Sequence, residues 1–181
     1  MIEIIGIIFS LLSVWLSAKK SIWTWPIGII GVIAYGFIFQ EDRDWNNLLL
    51  QFIFLAQSIY GWVYWNRTDM SKISKLHTIS RLDLTAVMVI TGFILYTLTY
   101  LFNGNSMVLD TVTATLSIFG MFLLAHKRIE NWILWGIADI LYIGLFIENK
   151  HYMSSGLYFI FLLIAIWGFV DWKKQLGNGK S

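Results

Sequence analysis

Cysteine is absent from this 181-residue chain. Disulfides and thiolate metal sites are therefore excluded. Proline occurs once, at Pro26, so little interrupts long helices. Charge is scarce. Lys, Arg, Asp and Glu make up 13% of the residues, where soluble domains carry roughly 25%. A net charge of only +2 gives no ground for a nucleic-acid partner. No HExxH spacing, phosphate loop, nucleophile elbow or ATP-binding motif occurs, which argues against an enzyme, a resident cofactor or a primary pump. His77, His126 and His151 fall in separate loops and make no metal site. Apolar residues fill the space these absences leave. They make up 57% of the chain, and mean hydropathy is +0.67, the composition of a small all-α integral membrane protein.

Seven apolar segments can be marked, at 2–18, 22–40, 46–65, 82–102, 109–125, 131–147 and 153–172. Each approaches the ~20 residues that span ~30 Å of hydrocarbon. None shows strand alternation, and Pro26 sits in the first turn of the second, where it is tolerated. The first lacks a basic leader and a clear cleavage site, so it reads as a membrane helix rather than a signal peptide. Eleven of the thirteen Lys and Arg residues follow segments one, three, five and seven. Seven spans put all eleven on one side, and the positive-inside rule then places the N-terminus outside and the C-terminus inside.

The chain repeats itself. A displacement of 107 positions carries Trp25 onto Trp132, Tyr35 onto Tyr142, Phe39 onto Phe146, Gly61 onto Gly168 and Trp65 onto Trp172, without a gap. Segments one to three thus match segments five to seven. Segment four is an odd linker, which gives two parallel triplets in a 3+1+3, SWEET-like arrangement. The expected units are a first repeat at 1–66, a basic loop with the linker helix at 67–108, a second repeat at 109–172 and a basic tail at 173–181. Repeats of this kind bind a small molecule at their interface near the midplane and move it by alternating access.

The ten Trp, eight Tyr and thirteen Phe exceed what two interfacial belts need, so some should line an interior. Stretch 132–146 carries one acid, Asp139. Trp132, Trp135, Asp139 and Tyr142 share one helical face. A carboxylate in hydrocarbon costs at least ~2.5–3.5 kcal/mol and usually marks a substrate or ion path. Flanked by aromatic faces, it suits a flat cation. In segment three, Asn47, Gln51, Ser58 and Trp62 fall on one face, with Gln57 about 120° away. The repeat breaks where polarity appears: Asp139 matches Val32, Trp135 matches Gly28, and Tyr158 matches Gln51. These nine (Asp139, Trp135, Tyr142, Gln51, Asn47, Trp132, Gln57, Trp62 and Tyr158) are the candidate substrate-binding residues. Trp23, Trp25, Trp65 and Trp172 are expected as interfacial anchors, and Asp110 as a helix N-cap.

The runs LLLQFIFLAQSIYGWVYW at 48–65 and DTVTATLSIFGMFLLAHKRIENWILW at 110–135, with the segment from Asp139 to Trp172, resemble the PnuC family of bacterial vitamin carriers over nearly the whole chain. The resemblance implies seven helices in a homotrimer. It implies facilitated diffusion of nicotinamide riboside, thiamine or riboflavin, trapped by a cytoplasmic vitamin kinase (ribosylnicotinamide or thiamine kinase). It points to Gln51 and to the face carrying Trp135 and Asp139. Nicotinamide riboside carriers of the family often have Asn where this chain has Asp139. A carboxylate there suits a fixed cation, and both nicotinamide riboside and thiamine carry one. The rival readings are a proton-coupled carrier and a non-transporting membrane receptor or scaffold.

Overall fold

The computed structural model describes residues 2–68, 73–76, 78–101, 107–148, 150 and 152–178. Among these, seven helices follow in order: α1 (Ile2–Ala18), α2 (Thr24–Glu41), α3 (Trp45–Arg67), α4 (Thr78–Leu101), α5 (Met107–Ala125), α6 (Asn131–Glu148) and α7 (Tyr152–Asn178). Five of them, α3 to α7, are long and apolar enough to cross a membrane. At 17 residues, α1 is apolar but shorter, about 26 Å at 1.5 Å per residue. The last helix runs past Lys173 and Lys174, so most of the expected basic tail is helical.

The local reason for the helix ends is the same at four places. Lys20, Arg43, Lys127 and Lys150 have φ of 56°, 56°, 54° and 61°. They end α1, α2, α5 and α6. At the first of these the Lys20 N–H donates to the Ser17 carbonyl and the Ser21 N–H to that of Leu16, both at 2.9 Å. The pattern at Lys127 and Arg128 repeats it, to Leu124 and Leu123, again at 2.9 Å. This left-handed cap satisfies carbonyls the helix leaves orphaned. Lys20 and Lys127 are 107 positions apart, and so are Arg43 and Lys150. Asp44 caps α3 by accepting from the Asn47 N–H at 3.1 Å.

Helix packing follows α1–α2–α3–α5–α6–α7 and returns to α1, while α4 packs on α5 from outside the circuit. Of the five long apolar helices α5 is the most buried and α4 the least. This leaves α4 presenting Phe93, Val89 and Ile90 outward, as a lipid-facing helix must. Ser74, in the loop after α3, bridges to Arg128. Its N–H donates to the Lys127 carbonyl and its carbonyl accepts from Ile129, both at 3.1 Å, which pins that loop beneath the α5–α6 turn.

The core lies at the end of the bundle where α1 passes into α2 and α5 into α6. Trp25, Trp65, Trp132 and Trp172 are 2% exposed or less there. Trp25 meets Trp65 edge to face at 5.3 Å, and Trp132 meets Trp172 likewise at 5.5 Å. The Trp65 indole donates to the Ala125 carbonyl and the Trp172 indole to that of Ala18, each at 2.9 Å. The expectation that Trp25, Trp65 and Trp172 anchor the interface is therefore corrected. Each indole found a buried partner ring, and two found a carbonyl at a helix end, which sequence position alone does not reveal. Trp23 is 64% exposed. Asp110 lies within the first turn of α5 rather than capping it, because that helix starts at Met107.

Candidate substrate site

Asp139 sits at the middle of α6 and is 8% exposed. Among the described residues no side chain pairs with its carboxylate. Trp135 lies one turn before it and Tyr142 about one turn after. Tyr142 meets Tyr158 of α7 at a tilt, ring centroids 4.4 Å apart, and stacks on Phe146 at 5.9 Å. Tyr142 lies within electrostatic reach of Asp110 and Asp139. Tyr158 lies near Tyr35 of α2 and Asp139. The fold thus gathers Asp139, Tyr142 and Tyr158 into one aromatic cluster that contains an acid, and adds Tyr35.

On the tryptophan side of Asp139 lies a cavity of about 640 Å³, counting space open to solvent. Residues from α1, α2, α3, α5 and α6 line it, among them Ser10, Ser13, Trp25, Ser58, Ser117 and Trp135. The lining carries no charged side chain. Ser13 and Thr24 clamp α1 to α2: each hydroxyl donates to the other's carbonyl at 2.8 Å. Opposite them, positions 107 apart differ in volume. A Cβ on Gly28 would meet the Ser13 hydroxyl at 2.8 Å, whereas one on the matching partner of Ser13, Gly120, would meet Trp135 at 2.5 Å. Small residues at one position and an indole 107 positions on make the cavity lining asymmetric.

The remaining candidates scatter. Gln51 lines a separate, largely apolar groove between α2 and α3, with Gly36, Phe37 and Gln40. Asn47 is engaged in capping, its amide donating to Asp44 at 2.8 Å. Gln57 ties α3 to α5 by donating to the Ile118 carbonyl at 3.0 Å. Trp62 is 40% exposed on the outer surface of α3. Trp132 packs in the tryptophan core, 5.7 Å from Trp135. Sequence reasoning passed over Ser10, Ser13 and Thr24. Their signal was the spacing of Ser10, Ser13 and Ser17 along one face of α1.

A multi-helix membrane protein with a buried acid inside an aromatic, hydroxyl-lined interior belongs to the class of small-molecule transporters. A profile of the nicotinamide mononucleotide transporter family matches residues 1–174, and the chain belongs to that family, the PnuC family. It is 30% identical to the nicotinamide riboside transporter PnuC of Escherichia coli K12, over 94% of this chain and 84% of the relative. It is 24% identical to the riboflavin/roseoflavin transporter RibM of Streptomyces davaonensis, over 94% and 83%. Its fold matches the crystal structure of a vitamin B3 transporter PnuC with a TM-score of 0.77 at 20% identity, covering 96% of this chain and 81% of that one. The PnuC resemblance read from the motifs is thereby confirmed.

Proposed function

We propose that this chain is a facilitative carrier for a cationic B-vitamin, nicotinamide riboside or thiamine. One observation carries the reading: the Asp139 carboxylate is buried and unpaired among the described residues, beside Trp135 and Tyr142. A cationic ring sandwiched there offsets a charge that is otherwise costly to hold in the membrane. The names of the relatives, vitamin transporters all, support the substrate class.

The same proposal includes seven spans, two parallel triplets joined by α4, the N-terminus outside and the C-terminus inside. The helix caps recurring 107 positions apart support the repeat. An inside-negative potential contributes about 2.3 kcal/mol per charge per 100 mV toward entry of a cation, so no ion coupling is required. Phosphorylation by a cytoplasmic kinase would then trap the vitamin. The homotrimer rests on the family resemblance.

The test is calorimetric titration of wild type and Asp139→Asn with nicotinamide riboside, thiamine and neutral riboflavin, followed by flux in liposomes. The expected result is a loss of about 10–100-fold in affinity for a cation, roughly 1.4–2.7 kcal/mol, with riboflavin unchanged. Equal cation affinity in both proteins removes Asp139 from the site. Binding without flux favours the receptor reading, and flux abolished by an uncoupler at matched potential favours proton coupling.

A further inference from the structure

The Trp172 indole donates to the Ala18 carbonyl at 2.9 Å, where α7 meets the end of α1. Four lysines gather around that bond. Lys19 and Lys20 follow Ala18, and Lys173 and Lys174 follow Trp172. Lys20 donates to the Gln175 side chain and ties the two helices a second time. Side chains tilt toward the N-terminus of their helix, so lysines near a C-terminal end lay their stems back over the preceding turn. Lys19 holds its ammonium 3.9 Å from the ring centroid of Trp15, and Lys173 holds its own 5.9 Å from that of Phe169. Lys19, Lys173 and Lys174 are exposed. None of their ammonium groups makes a hydrogen bond or ion pair among the described residues. One acid of α7 stands close by, Asp171, which accepts from Gln175 at 2.6 Å. The acid of α1 lies at its other end, and α2 carries none in its first turn.

The junction of α3 with α5, 107 positions on, uses its cations within the protein. His126 stands where Lys19 does. It donates from Nδ1 to the Phe122 carbonyl at 2.9 Å and meets the Tyr60 hydroxyl through Nε2 at 3.1 Å. Lys127 stands where Lys20 does, is 3% exposed and donates to Thr68 at 3.2 Å. The loop after α3 crosses this junction as well, its Leu76 N–H donating to Glu130 at 3.1 Å. Among the described residues no loop crosses the α1–α7 junction in this way. It presents exposed ammonium groups instead.

We infer that the α1–α7 junction is a binding site for the phosphate headgroup of an anionic phospholipid, with Lys19 and Lys173 as its cations. The inference rests on the seven-span topology, which puts these lysines at the inner leaflet. Leu12, Trp15 and Lys19 share one face of α1, and Ile166, Val170 and Lys173 share one face of α7. All four apolar residues of these faces are exposed. Each face is therefore an apolar wall that ends in a cation, the complement of an acyl chain that ends in a phosphate. A soluble anion would leave the walls unused, and a zwitterionic headgroup would bring a cation of its own toward the lysines. A headgroup held by both lysines joins α1 to α7, as the loop joins α3 to the α5–α6 turn.

The experiment titrates dioctanoyl phosphatidylglycerol into the detergent-purified protein and reads the thermal midpoint. Dioctanoyl phosphatidylcholine and glycerol phosphate are the comparisons. Wild type is set beside Lys19→Gln/Lys173→Gln and beside Arg67→Gln/Lys75→Gln, which removes the same charge from exposed positions near the other junction. Phosphatidylglycerol should raise the wild-type midpoint and phosphatidylcholine should not. Its half-saturating concentration should rise about 10–30-fold in Lys19→Gln/Lys173→Gln and stay within twofold in Arg67→Gln/Lys75→Gln. No midpoint gain with phosphatidylglycerol, an equal gain with phosphatidylcholine, or an unchanged half-saturation in the first variant overturns the site. Equal weakening in both variants replaces it with diffuse surface attraction, and an equal gain with glycerol phosphate makes it a soluble-anion site; either result also overturns the proposal. The carrier reading stands or falls separately, on Asp139.

Discussion

Gly120→Ala is the sharpest perturbation of the proposed ligand platform, Trp135, that leaves that residue itself in place. A Cβ at Gly120 would stand 2.5 Å from Cδ1 and Nε1 of Trp135. Carbon atoms pack at about 3.5–4.0 Å, so the ring must shift by roughly 1 Å. Overpacking of this kind costs about 1–3 kcal/mol. Trp135 is only partly buried and borders the cavity, so its ring has room to retreat. The strain then appears mainly when a ligand needs that room. Affinity for the cationic vitamin should fall about 5–100-fold. The comparison is Gly61→Ala, whose Cβ would meet a Trp25 ring held edge to face on Trp65. There the ring cannot yield, and the whole cost falls on stability: about 2–12 °C in midpoint for a chain of this length. Affinity by calorimetry and midpoint by thermal unfolding in detergent are read on both variants. Gly120→Ala binding within twofold of wild type, or a midpoint loss exceeding that of Gly61→Ala, would refute the reasoning.

Other outcomes follow from the same packing. Trp65→Phe and Trp172→Phe each remove a buried bond to a helix-end carbonyl, and each should cost about 1–3 kcal/mol, read as similar losses of thermal midpoint. Gly144→Ala should be neutral or stabilising by up to about 1 kcal/mol, because a Cβ there meets nothing within 4 Å and alanine favours the helix. Because the chain lacks cysteine, single-cysteine variants can be labelled without background. A cysteine at exposed Lys174 should react with a membrane-impermeant maleimide only after the membrane is opened, and one at exposed Glu41 in intact cells. The reverse pattern would invert the proposed topology.

Much of this protein is legible in its sequence because a membrane constrains it so strongly. Helices are the economical way to bury backbone in hydrocarbon when no strand alternation exists, so apolar length marked every helix, most ends to within two residues, with α4 starting four residues earlier and α7 ending six later than expected. The 107-residue displacement pointed to a repeat, and left-handed caps at Lys20 and Lys127 stand at the same displacement. Asp139 stood out because a lone acid in an apolar run is expensive. That argument depends on composition and period, which one sequence contains.

Tertiary packing decided the rest. Helical periodicity tells which residues share a face but not which neighbour that face meets. Gln57 and Asn47 lay on plausible faces, yet one binds Ile118 across to α5 and the other caps its own helix. The tryptophans at the helix ends looked interfacial by depth and became the core, because α3 meets α5 and α7 meets α1 at that end. The serines of α1 gained meaning only when α2, α3 and α6 closed a cavity around them. Apolar length and the cost of charge act locally along the chain. A cavity and a hydrogen bond to another helix's carbonyl depend on distances between residues far apart in sequence, and only the folded chain sets those.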